Sequence, residues 1–231
     1  MEFLTVAKYF EKLESTSSRL EMTDLLVELF KKTPKEETDK VAYLCLGHFV
    51  PEYRNMPLGI GDKMMIEAIA MAANRLPKDV TAKFKEVGDF GLAAEKMIGE
   101  GKGVSLAAFT KTVHAEVTLQ ELFDSLYKIA SASGSRSQDL KIKILAGLLG
   151  KAKAVEAKYI VRIALETMRL GTGGMTLLDA LATVYAEDKK NRPVIENAYN
   201  ISSDIGLVAK ELAEHGLKGV EKIKPTVGRP I

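Results

Sequence analysis

Between Arg136 and Thr172 the chain gathers the side chains best suited to holding a polyanion. Eight are cationic (Arg136, Lys141, Lys143, Lys151, Lys153, Lys158, Arg162 and Arg169) and three are anionic (Asp139, Glu156 and Glu166), a local charge of +5. The whole chain carries only +2, so a basic surface must come from segregation of charge, not from its total. Two short loops flank this run. Gly134-Ser135-Arg136-Ser137-Gln138-Asp139 precedes one predicted helix, and Gly171-Thr172-Gly173-Gly174-Met175-Thr176 precedes another. Small residues at a helix start leave backbone N–H groups free, and the helix dipole favours an anion there. The hydroxyls of Ser135, Ser137, Thr172 and Thr176 add donors. The chemistry on offer is a grip on phosphate, which positions a nucleic acid without reading its sequence. The plain alternative for each loop is turn and cap chemistry.

Lys158, Arg162 and Arg169 stand at i, i+4 and i+11, within about 40° of one another on a helix surface. Ile160, Ile163 and Ala164 occupy the other side. The spacing predicts a helix over 154–170 with a basic stripe displayed at its edge, open either to phosphates or simply to solvent.

Other constellations fail. Gly99, Gly101 and Gly103 follow a predicted helix, not a strand, which argues against a dinucleotide fingerprint. No phosphate-binding G-x-x-x-x-G-K-[ST] occurs. Cys45 and His48 form a lone C-x-x-H, and His114 and His215 lie far off in sequence, so a metal site is not expected. No nucleophile and base stand at a telling spacing.

The elements that must position these residues are helices. Phe3, Val6, Ala7, Phe10 and Leu13 recur at spacings of three and four, one apolar helix face. Three helix starts read as capping boxes: Ser18 with Glu21, Thr33 with Glu36, and Thr118 with Glu121. Strand-like alternation bounded by turn residues is absent. The expected fold is all-α, about twelve helices, over 2–14, 18–32, 38–48, 62–75, 78–86, 89–99, 118–132, 138–150, 154–170, 176–188, 192–201 and 204–222. At 231 residues and 46% hydrophobic the chain can bury a sizeable core, in one domain or two packed lobes. The glycine-bearing stretch 100–117 reads as a loop between lobes at roughly 1–99 and 118–222, and 223–231 as a linker. One cysteine excludes an internal disulfide and fits a reducing compartment. The N-terminus lacks the pattern of a secretory signal, and no apolar run is long enough to cross a bilayer.

Several runs together resemble a known family. Gly134-Ser135-Arg136-Ser137-Gln138-Asp139-Leu140-Lys141-Ile142-Lys143, then Glu156-Ala157-Lys158-Tyr159-Ile160-Val161-Arg162, then Met168-Arg169-Leu170-Gly171 follow the order seen in the N-terminal DNA-binding domain of archaeal and eukaryotic ATP-dependent DNA ligases. Phe10-Glu11-Lys12-Leu13-Glu14, Leu58-Gly59-Ile60-Gly61-Asp62-Lys63, Gly88-Asp89-Phe90-Gly91 and Ser203-Asp204-Ile205-Gly206 resemble its other landmarks. No single run is decisive; their order and spacing together are specific, and they span essentially the whole chain.

The resemblance implies an all-helical domain that grips duplex or nicked DNA through the minor groove with backbone amides, hydroxyls and basic side chains. It implies DNA-facing roles for Ser135, Arg136, Ser137, Lys141, Lys158, Arg162, Arg169, Thr172 and Gly173, a monomer, and a cytoplasmic setting at the archaeal nucleoid, away from membranes. The family's nucleophilic lysine sits in a K-x-D-G motif that this sequence lacks. The chain is therefore expected to need no cofactor and to be inactive alone, ATP and Mg²⁺ serving the remaining ligase domains. Relatives often carry a sliding-clamp segment in the central loop. Leu106 and Phe109 hold its spacing, with Gly103 in place of the glutamine and Thr110 in place of the second aromatic; anchoring the loop to the core is the other reading. A helical interaction scaffold without DNA affinity is the alternative function.

Overall fold

The computed structural model describes residues 1–101, 116–186 and 189–226. Among them the chain forms α1 (Phe3–Glu14), α2 (Arg19–Lys32), α3 (Thr38–Cys45), α4 (Asp62–Ala73), α5 (Pro77–Val87), α6 (Phe90–Gly101), α7 (Leu119–Ser131), α8 (Ser137–Lys151), α9 (Ala154–Ala164), α10 (Gly174–Tyr185), α11 (Arg192–Ser202), α12 (Ile205–His215) and α13 (Leu217–Val220). The β pairing among the described residues is one bridge, Glu2 with Thr118. The all-α expectation holds, because the 3.6-residue apolar period is carried by nearly every segment.

Packing divides the chain into two units that do not follow chain order. One holds Met1, Lys8–Met56 and Met168–Ile231; the other holds Glu2–Ala7 and Pro57–Thr167. The expected division at 100–117 is therefore not where the packing divides. The reason is pairing of apolar faces. In the first unit α2 packs on α10 and α3 on α12, burying Leu26, Leu29, Val41, Leu44, Leu177, Leu181, Val208 and Leu212. In the second, α4 packs on α8 and α6 on α9, burying Met65, Ile69, Ala93, Met97, Leu145, Leu149, Ile160 and Ile163. Each fully buried Leu, Ile, Val or Met contributes about 1.5–3 kcal/mol.

Two of the three expected helix starts form, each by its hydroxyl half. Ser18 accepts from the Glu21 amide and Thr118 from the Glu121 amide, at 3.4 and 3.1 Å. The carboxylates go elsewhere: Glu21 accepts from the Thr16 hydroxyl and Glu121 pairs with Lys151. Thr33 caps no helix start. It is buried at the end of α2, its hydroxyl donating to the Leu29 carbonyl, and a 3-10 turn, Lys35–Glu37, precedes α3.

Two long expected helices are shorter. The helix expected over 204–222 breaks at Gly216, which adopts φ +64°. The one expected over 154–170 ends at Ala164. There Glu166 adopts a left-handed φ of +55°, the Glu166 amide bonds the Ile163 carbonyl and the Thr167 amide bonds that of Arg162. This is a Schellman stop with glutamate where glycine usually sits.

Candidate nucleic-acid interface

In the second unit, α9 is not an edge helix. Every residue from Glu156 to Ala164 is buried, and Lys158 and Arg162 are only 7% and 9% exposed. The displayed basic stripe does not exist. Arg169 lies beyond the helix end and belongs to the first unit, so the i, i+11 relation has no helix to act through. The Lys158 ammonium lies 4.9 Å from the centre of the Tyr159 ring, a cation–π distance. The Arg162 Nε donates to both carboxylate oxygens of Asp89, at 3.2 and 3.3 Å.

Asp89 also caps α6, accepting from the Leu92 amide at 2.7 Å. Gly91 makes the arrangement possible. A Cβ there would lie 2.7 Å from the Lys158 carbonyl oxygen and 2.9 Å from Arg162 Cγ. Only a residue without a side chain lets α6 approach α9 this closely. The Gly88-Asp89-Phe90-Gly91 run is thus a helix stop, a cap, a buried apolar residue and a close approach in sequence, since Gly88 ends α5 at φ +71°.

The start of α8 is different. Ser135 and Arg136 are exposed and Ser137 half-buried. Gly134, at φ +90°, turns the chain into the helix, and the Ser137 amide bonds the Gly134 carbonyl at 3.1 Å. No side chain caps this start, so the Gln138 and Asp139 amides have no acceptor within the helix. Lys141, one turn in, is committed inward: its ammonium donates to the Leu58 carbonyl at 2.7 Å. It fastens the chain before α4 to α8.

The first unit carries Arg169, Thr172 and Gly173. Arg169 and Gly173 are exposed. The Thr172 hydroxyl donates to the Cys45 carbonyl at 2.7 Å, so its proton is already used; the bond ties the loop to the end of α3. Met168 Cβ lies 3.1 Å from where a Cβ on Gly47 would be, which fixes the other side of the loop. Gly171, at φ +70°, turns the chain, and α10 starts at Gly174 with no side-chain cap. Its amides are left for an outside acceptor.

Sequence reasoning missed two features here. Exposed large apolar residues sit in or beside both helix starts: Leu140 on α8, 50% exposed, and Met175 on α10, 46% exposed. Asp204 is the second. It caps α12 through the Leu207 amide and accepts from the Tyr43 and Tyr53 hydroxyls at 2.5 and 3.0 Å. Burial first, then the Asp204 bond, holds the Tyr43 hydroxyl far above the ordinary phenol range. Tyr43 fills the space where a Cβ on Gly206 would stand, the physical content of the Ser203-Asp204-Ile205-Gly206 run. Burial pushes the Cys45 thiol up to about 12, so it is no nucleophile at neutral pH. Leu106 and Phe109 lie outside the described residues.

The sequence matches the family described as "DNA ligase N terminus" over residues 2–182. It is 45% identical to a DNA ligase of Staphylothermus marinus, over the whole of this chain and 40% of that protein. It is also 45% identical to a DNA ligase of Sulfurisphaera tokodaii, over the whole chain and 39% of the relative, and 42% identical to a probable DNA ligase of Aquifex aeolicus, over the whole chain and 38% of that protein. The chain thus spans about two fifths of the length of these relatives. With a match covering most of its length and relatives aligned from end to end, this chain belongs to the DNA ligase N-terminal family.

Proposed function

We propose that this chain grips duplex DNA without regard to sequence, as the N-terminal part of an ATP-dependent DNA ligase that seals nicks in replication, repair and recombination. The observation that carries the reading is the start of α8: an exposed Ser135-Arg136 turn leading into a helix whose first amides no side chain caps. Such a start offers N–H donors, a positive dipole end and a guanidinium to the same phosphate. The start of α10, with exposed Arg169 and Gly173, has the same makeup in the other unit. Contacts of this kind fix position and carry no sequence information.

Lys158 and Arg162 enter the proposal as support for the grip rather than as contacts, since both are buried. Lys141 and Thr172 hold the approach to their helix starts through the Leu58 and Cys45 carbonyls. The adenylation lysine, ATP and Mg²⁺ belong in this reading to the remaining ligase domains, with which the chain works as a monomer. A sliding clamp is a further proposed partner through Leu106 and Phe109, on sequence spacing alone; a titration calorimetry run without heat ends that idea. Among the described residues no helix is long and apolar enough to cross a membrane.

The test is fluorescence anisotropy with a nicked duplex and its intact counterpart at two salt concentrations. The expected result is binding to both, with log K falling linearly against log salt at about 0.9 per phosphate contacted. Any gap between the two duplexes measures how far this chain alone senses the nick. Absence of binding at low salt overturns the reading and favours a helical scaffold.

A further inference from the structure

The exposed side of α8 carries an unexplained residue. The Leu140 amide bonds the Arg136 carbonyl at 3.2 Å, so Leu140 stands one turn above Arg136 on the same side. Lys143 follows three residues on, and both cations are exposed. At 100° per residue the three fall within about 60°. Gly147, on the same side, is exposed, and a Cβ built there would meet nothing within 4 Å. Leu140 is therefore an apolar side chain, half in water, held between two cations roughly 5–6 Å away along the helix. The core side of the helix is already filled by Ile142, Leu145, Ala146, Leu148 and Leu149, so Leu140 has no structural task there.

We propose that Leu140 is a specificity residue that packs on the sugar of the bound strand and selects deoxyribose over ribose. The inference rests on the duplex-binding reading above and goes beyond it. Charge complementarity names the occupant. A sugar–phosphate strand presents anion, apolar sugar face and anion in succession, and Arg136, Leu140 and Lys143 present cation, apolar side chain and cation. Deoxyribose offers C–H groups at C2′. Ribose offers a hydroxyl, which Leu140 would strip of water without giving it a partner, and leaving such a group unsatisfied weakens binding by about tenfold. The 2′-hydroxyl is the group by which a protein tells RNA from DNA.

The experiment measures affinity for an all-DNA duplex and for the RNA–DNA hybrid of the same sequence, with the wild-type chain and with Leu140→Ser, Leu140→Met and Arg136→Ala. Circular dichroism checks that each variant is folded. Wild type is expected to prefer DNA by about tenfold. Leu140→Ser should bring that ratio close to one, Leu140→Met should keep it, and Arg136→Ala should weaken both complexes alike. A preference that survives Leu140→Ser belongs to groove shape and overturns the inference; so does a wild-type chain that binds both duplexes equally. A wild-type chain that binds neither overturns the duplex reading itself, a different result from either.

Discussion

Helices α8 and α9 lie in the same unit, both carry cations at helical spacing, and the structure gives them opposite fates. On α8, Arg136 and Lys143 face water. On α9, Lys158 and Arg162 are inside. The difference lies in what covers each helix. α9 packs closely on α6 because Gly91 removes the side chain that would hold the two apart. α8 buries one apolar face and leaves the other open. A count of positive charges along a segment therefore says little about where a polyanion could sit; the partner helix decides. Arg162 spends its guanidinium on Asp89, which in turn caps α6, whereas Arg136 keeps its donors at an uncapped helix start.

The largest test of this contrast is Arg162→Met. It leaves Asp89 facing a buried site without its cation, and breaking such a pair costs about 3 kcal/mol. The Asp89 carboxylate is partly exposed, which places the effect at the lower end of the usual range. Urea denaturation should show that loss of stability, while the folded protein keeps its affinity for duplex DNA. Unchanged stability with lost affinity would reverse the assignment and make Arg162 a contact after all.

Gly91→Ala comes next. The added methyl would press on the Lys158 carbonyl and the Arg162 side chain, and overpacking of this kind costs about 2 kcal/mol. The same substitution at Gly88 tests a different cause, since there the strain comes from φ +71° and nothing lies within 4 Å. If the two variants lose stability for these separate reasons, a temperature-melt series of the single and double variants should show losses that add. A Gly91→Ala chain as stable as wild type would mean that α6 and α9 can part freely.

Much of this was legible from residues alone, and the exceptions have identifiable causes. Helix periods placed most bounds within a residue or two, and the Ser18 and Thr118 caps formed as their hydroxyls suggested. The end of α9 was not legible, because Glu166 takes a left-handed conformation that sequence reasoning reserves for glycine. The burial of Lys158 and Arg162 was not legible either. The partner of Arg162, Asp89, lies seventy-three positions away, and no local pattern links the two. Gly91 and Gly206 were visible as landmarks, yet their reason, a close neighbour on another helix, appears only in three dimensions. The order of packing was hidden for the same cause: α2 finds α10 and α3 finds α12 by complementary faces, not by nearness in sequence.

On the open side of the contrast, Arg136→Ala combined with Lys143→Ala should leave stability within about 0.5 kcal/mol. Affinity for duplex DNA should fall about tenfold, or about 1.4 kcal/mol, with the salt slope reduced by about 1.8 for two phosphates no longer neutralised. A fall in affinity with an unchanged salt slope would show that these residues act without touching phosphate.

The smallest effect is the sharpest for geometry. Gly147 sits in the middle of α8, where glycine costs about 1 kcal/mol against alanine, and a Cβ there would touch nothing. Packing inside the protein gives no reason for the glycine, so Gly147→Ala should raise stability by up to about 1 kcal/mol. If the duplex lies along the open face of α8, the added methyl keeps its backbone from closing on the helix, and affinity falls a few-fold even as the fold strengthens. The two measurements then move in opposite directions, which a merely structural glycine cannot produce. If affinity is unchanged while stability rises, the contact is confined to the turn at Ser135 and Arg136, and the open face beyond Lys143 stays in water in the complex.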